Sequence, residues 1–287
     1  MKHDLSEITF LTFVRLDNDE RIKNLQAMHG FYRKHCENYT HIIIEDDTTS
    51  KVPSHLELTK DDVYVFTRST TEWKKCEGFN KGIKLAKTNI LTLIDTDIII
   101  HPEYILDGAR TLTADKNSAL IYPFNGLFLC AEKELKDKFC ETLQYETLGD
   151  LIPTQFLDYT CSRHSDINQL KQYINGVYDG VLVGHIDSKG GCVMGRRDNL
   201  IRGNGYNPLF HGWGYEDDEV PVRMNGLGYG VGRLEGKLKV CWHLHHFDGT
   251  GSEKETQPHY DDNKNIYDEI CQLNKEQLQQ YITRWRM

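Results

Sequence analysis

Three clusters of side chains in this 287-residue chain have types and spacings that chemistry uses. The first is Asp95-Thr96-Asp97, an acid pair directly after the apolar run Ile90–Ile94. The second is Cys241-Trp242-His243-Leu244-His245-His246, which adds imidazoles at the end of another apolar run. Carboxylate and imidazole together suit a divalent transition ion such as Mn2+, with Mg2+ as the harder substitute. The third is Trp213-Gly214-Tyr215 followed by Glu216, Asp217, Asp218 and Glu219. An aromatic face beside carboxylates suits a ligand with apolar C–H faces and hydroxyl edges, and a carboxylate within hydrogen-bond reach of a hydroxyl can take its proton.

Each cluster also has a plainer reading. A lone acid pair after a strand is commonly a polar turn. Histidines pack or sit on surfaces as often as they ligate. Four acids in the first turn of a helix meet its dipole favourably. What favours chemistry is that all three occur in one chain, each beside an element that would hold it. If residues 95–97 continue the strand, Asp95 and Asp97 point to one face and can act on one ligand.

The elements that must position these residues read as an α/β fold. Glu7–Leu16 is a buried strand, Asn18–Cys36 an amphipathic helix, Thr40–Asp47 a second strand and Asp61–Ser69 a third. Lys74–Lys87 has helical spacing and leads into the strand that ends at the acid pair. Alternating strands and helices predict a mostly parallel, Rossmann-like sheet flanked by helices, with a small additional antiparallel element. Ligands bind at the carboxyl ends of such strands, where Glu45, Asp46, Asp95 and Asp97 are expected to share one site. Ser118–Cys130 reads as a strand and Glu132–Gln144 as a helix, whereas Ser162–Gly180 gives mixed signals. A glycine-rich stretch from Gly184 suggests backbone that approaches a ligand closely. The end, from Asp261, reads as a charged helical tail.

Composition narrows the classes. With 34 basic against 43 acidic residues the formal charge is -9, and no cluster of Lys and Arg offers a footprint for nucleic acid. The opening apolar run is too short and too charged for a signal peptide or membrane span, and no later run approaches twenty apolar residues, so no integral membrane segment and a cytoplasmic location are expected. Eight single cysteines without a CxxC pair argue for reduced thiols.

The block Gly190–Gly228, with its paired glycines, Asn204-Gly205-Tyr206 turn and Trp213-Gly214-Tyr215-Glu216-Asp217 signature, resembles the donor-loop and acceptor segment of the β-1,4-galactosyltransferase and chondroitin-polymerase type of GT-A glycosyltransferase. Asp95-Thr96-Asp97 matches the DxD element of these families, and Asn80 and Gly82 match the Asn-x-Gly helix before it. The resemblance implies a single GT-A domain over 1–287, with a nucleotide-binding half at 1–101, an acceptor and metal half at 102–250, and the helical tail at 251–287. It implies a metal-dependent transfer of a hexose or N-acetylhexosamine from a UDP-sugar to a glycan hydroxyl, with inversion. Asp217 aligns with the catalytic base, and Glu216 would hold hydroxyls. Arg15, Glu45, Asp46, Asn80, Asp95, Gly190, Gly191 and Trp213 would line the donor and sugar site. Asp95, Asp97, His243 and His246 would hold the metal. The galactosyltransferases have a C-x-Met-x-x-His segment where this chain has Cys241-Trp242-His243-Leu244-His245-His246, which leaves the choice between His243, His246 or both open; His245 would face away.

Three alternatives stand beside this reading. A retaining transferase could share the Trp-Gly-x-Glu element. A nucleotidyltransferase would need a glycine-rich basic loop after the first strand, and Arg15-Leu16-Asp17-Asn18-Asp19 lacks the glycines. A non-catalytic carbohydrate-binding protein would keep Trp213 without needing both the acid pair and the histidines.

Overall fold

The computed structural model describes residues 2–69, 73–149, 180–185, 187–235, 239–246 and 258–287. Strand β1 (His3–Asp4) and strand β3 (Cys36–Glu37) pair at one margin. Between them, β2 (Ile8–Val14) is buried at every residue, the pattern of a parallel strand covered on both faces. Helix α1 (Asp19–His35) begins where the Asn18 side chain accepts from the Arg21 N–H, and Asp19 and Glu20 follow at its positive end. Strand β4 (Thr40–Asp47), the short α2 (Val52–His55) and β5 (Asp62–Arg68) come next, then α3 (Lys75–Leu85), β6 (Ile90–Ile94) and β7 (Ile98–Ile99).

After β7 run α4 (Pro102–Ala114), β8 (Ser118–Tyr122), β9 (Phe128–Ala131), α5 (Lys133–Thr142) and α6 (Glu146–Gly149). The glycine-rich part forms β10 (Val181–His185), β11 (Cys192–Arg196), α7 (Arg197–Arg202), α8 (Glu216–Gly226) and β12 (Gly230–Arg233), and β13 (Cys241–Leu244) follows. The sheet order is β12-β8-β11-β6-β2-β4-β5, parallel except where β11 runs against β6 and β8. A smaller sheet, β10-β9-β13-β7, lies at the carboxyl end of β6 and brings β13 beside β7.

Two elements differ from expectation. Ser118–Cys130 is two strands in two sheets, because Pro123 cannot continue the ladder and Gly126 turns the chain at φ 96°. The tail is two helices, α9 (Tyr260–Cys271) and α10 (Lys275–Tyr281), the second started by a capping box in which Asn274 and Gln277 exchange hydrogen bonds. The stretch 162–179 lies outside the described residues. One apolar core extends from Leu5 to Trp285. The seven described cysteines are unpaired, and no described helix is long and apolar enough to cross a membrane.

Candidate active site

Residues 95–97 do not continue β6. The Asp95 N–H donates to the Gly191 carbonyl at 2.9 Å, and the Ile98 N–H returns to the Asp95 carbonyl at 3.3 Å, closing a turn before β7. The expectation that both carboxylates share one face therefore fails: they leave the turn into two different clusters.

Asp95 enters an acidic recess built around a cation, Lys75, the first residue of α3. Its ammonium lies 3.1 Å from Asp217 Oδ2, 3.5 Å from Asp95 Oδ1 and 3.6 Å from Glu216 Oε1, and its side chain is only 9% exposed. Burial works against the charged lysine, but Asp217, Asp95 and Glu216 hold its pKa well above the usual lysine value. Burial pushes Glu216 up to about 7, helped by the charge of Asp217 and opposed by Lys75. Burial likewise raises Asp217 and Asp95, again against Lys75. Glu216 also accepts from the Gly214 N–H at 2.8 Å. Asp95, Asp217, Lys189, Tyr206, Gly191 and Lys75 line a shallow recess with a volume of about 10 Å³. Perturbed carboxylates around a small cleft are what proton-transfer sites look like.

Asp97 enters the second cluster. Its Oδ2 is 3.0 Å from His246 Nε2 and 3.6 Å from His243 Nε2, and the two ring nitrogens are 3.2 Å apart. Strand β13 delivers His243 because it pairs with β7 just beyond the turn, and the Leu244 N–H donates to the Asp97 carbonyl at 2.7 Å. Burial would raise the Asp97 carboxyl, yet His243 and His246 hold it well below the usual carboxylate range. Burial opposes protonation of His243, but the Asp97 charge pushes it up to about 10. One oxygen and two imidazole nitrogens within 4.8 Å of one another fit a divalent ion of the Mn2+ type. Asp95 is outside this group, and His245 is exposed.

The donor-side candidates fare unevenly. Arg15 lies at the carboxyl end of β2, donates to the Asp46 carbonyl at 2.8 Å and to its Oδ2 at 2.6 Å, and lies over the Trp73 ring. Asp46 is thus a partner of Arg15 and is itself buried. Glu45 points inward: it accepts from the Lys51 N–H at 2.8 Å, from the Val52 N–H and from the Tyr64 hydroxyl, so its carboxylate starts α2 and is fully buried. Asn80 is likewise spoken for. Its amide donates to the Tyr206 carbonyl and accepts from the Tyr206 N–H, both at 2.7 Å, and so clamps the Asn204-Gly205-Tyr206 turn.

The paired glycines serve close protein packing. A Cβ on Gly190 would lie 3.1 Å from Asp217 Oδ2, and one on Gly191 would lie 3.0 Å from both Ile98 and Phe128 at a φ of 86° that disfavours any other residue. Trp213 is 44% exposed on the loop before α8. Glu219, which the sequence offers as a simple helix-starting acid, is a buried anchor. It pairs with Arg223 at 2.5 Å, and Arg223 donates to the carbonyls of Gly203 and Gly205.

Lys75 was not singled out by sequence reasoning. Its signal is a misfit: a lysine in the first turn of a helix opposes the dipole, and local rules tend to be broken where function compensates.

Residues 20–136 match the model of glycosyl transferase family 2, and residues 185–247 match that of the N-terminal domain of galactosyltransferase. Both models are of glycosyltransferases, and they match in chain order, the first from α1 into α5 and the second over β11 to β13. No curated protein matches its sequence. Among solved structures, the mannosyltransferase PcManGT from Pyrobaculum calidifontis, in complex with GDP-Man and Mn2+, is similar at 13% identity and a TM-score of 0.49. The similarity covers 86% of this chain and 58% of that one, so the chain spans little more than half the length of that protein.

Proposed function

We infer that the protein moves a hexose or N-acetylhexosamine from a UDP-sugar to a hydroxyl of a glycan, with inversion at the anomeric carbon. The observation that carries this reading is the position of Asp217, a carboxylate of raised proton affinity in a recess whose rim continues, through the Asp95–Asp97 turn, into a metal-type cluster. The donor half of the proposal rests on the family resemblance.

Asp217 would accept the acceptor hydroxyl proton as its oxygen attacks; a carboxylate more basic than usual is better suited to that task. Lys75 opposes the effect of burial on Asp217 and so favours its ionised form. Glu216, titrating at about 7, can accept from or donate to a sugar hydroxyl. Asp97, His243 and His246 would hold Mn2+, and the bound ion would neutralise charge on the leaving diphosphate. Arg15 and Trp73 would border the nucleotide.

The test is a panel of UDP-sugars assayed for Mn2+-dependent release of UDP, with the product anomer read from its proton coupling. Release from at least one donor and an inverted product are expected. No release from any donor would remove the proposal, and a retained anomer would remove its inverting mechanism.

A further inference from the structure

The loop that carries Trp213 is held in place by helix α9, which lies outside both matched family segments. Its backbone is unusual: Gly212, Gly214 and Tyr215 all have positive φ, at 66°, 114° and 65°. The two glycines adopt such angles freely, but Tyr215 does so at a steric cost that its surroundings must offset. Those surroundings are the first turn of α9. Asn263, itself buried, accepts from the His211 N–H at 3.2 Å and donates to the carbonyls of His211 at 2.8 Å and Trp213 at 3.4 Å. Tyr260 stacks on the Trp213 indole with centroids 6.2 Å apart and planes 18° from parallel, and its hydroxyl is 3.1 Å from that of Tyr215. A Cβ on Gly214 would lie 3.0 Å from the Tyr260 ring, so the loop fits against this side chain closely.

A buried asparagine that satisfies the main chain of a loop, and a ring that backs a half-exposed indole, both spend order on a surface residue. A single exposed indole is ordinary on a surface; what sets Trp213 apart, at 44% exposure, is the ring and the buried amide that hold it there. A flat, immobilised aromatic face is what a pyranose ring stacks on, because its axial C–H groups form an apolar face of matching size. Glu216 and Asp217 begin α8 two residues beyond Tyr215 or nearer, so a sugar on Trp213 brings its hydroxyls to the acids.

We propose that Tyr260 and Asn263 are positioning residues for acceptor recognition, holding Trp213 as a preorganised stacking surface for a pyranose. The proposal rests on the glycosyltransferase reading above for its biological use, but its test does not depend on turnover. The probes are the β-methyl glycosides of glucose, galactose, N-acetylglucosamine and N-acetylgalactosamine, added to the full chain with UDP and Mn2+. The readout is the indole N–H resonance of Trp213, assigned by its loss in Trp213→Phe.

At least one glycoside should move that resonance in the wild type. Tyr260→Leu, which keeps bulk but removes the ring, should weaken that glycoside by about tenfold, and Tyr260→Trp should restore it. Asn263→Ala supplies the same comparison should Tyr260→Leu unfold. A panel in which no glycoside moves the resonance, or variants that bind as the wild type does, would overturn the proposal. UDP release by the wild type, measured separately, keeps the two readings apart: release without saccharide binding sinks only this one.

Discussion

Nζ of Lys75 lies 3.1 Å from Oδ2 of Asp217, and the same ammonium reaches Asp95 and Glu216, so one buried cation balances three carboxylates. Removing it leaves like charges facing one another. Taking away one partner of a buried pair costs ~3–5 kcal/mol, and Lys75→Met should lower unfolding free energy by that order at neutral pH. Adding Glu216→Gln should recover part of the loss. Denaturant unfolding measures both; an unchanged midpoint in Lys75→Met would show that the lysine is not the counter-charge.

Asp217→Asn preserves shape but cannot take a proton. Transfer should fall on the order of 10²–10⁴-fold, the usual worth of general base catalysis. Calorimetry should find UDP and Mn2+ binding largely intact. Wild-type transfer by this variant would refute the assignment of Asp217 as base.

Glu216 titrates at about 7 in the folded protein, above its ordinary carboxylate value, because it is buried. A folded-state pKa raised in this way favours the native state below the unfolded pKa of roughly 4.3 and loses that contribution as pH rises towards 7. Glu216→Gln removes the linkage. The stability of wild type relative to Glu216→Gln should therefore decline between these two values and be level outside them. Thermal melts across pH give the difference curve, and a flat curve would contradict the raised pKa.

Asp97 belongs to the metal-type cluster and Asp95 does not. Asp97→Ala and His246→Ala should abolish Mn2+-dependent UDP binding, whereas Asp95→Asn should weaken it far less. Calorimetry with and without Mn2+ checks this, and equal losses for Asp95 and Asp97 would show that both carboxylates ligate.

Asn80→Ala leaves the Tyr206 N–H and carbonyl without partners in a buried place. A loss of about 1–3 kcal/mol is expected for such a group, with UDP affinity unchanged. A selective fall in UDP affinity would return Asn80 to the donor site.

The strands of the central sheet were legible because strands covered on both faces read as continuous apolar runs, as in Ile42-Ile43-Ile44 and Ile8–Val14. Strand β12, Gly-Val-Gly-Arg, was not legible, since its ordering comes from pairing with β8 rather than from its own side chains. In the site, Asp97, His243 and His246 announced themselves by residue type at short spacing. Lys75 did not, because its main partner is 142 residues away. Strand-end acids misled for a different reason. Neighbouring side chains at a strand end diverge, and here Glu45 turns to start a helix while Asp46 turns to Arg15.

Only Thr96 separates the acid of the lysine-centred recess from the acid of the histidine cluster. Two peptide units span at most about 7 Å, so covalent geometry acts as a ruler between the two clusters. Packing elsewhere can relax without changing that gauge. One extra residue in the turn would lengthen that span and break the Ile98 N–H to Asp95 carbonyl bond that sets it.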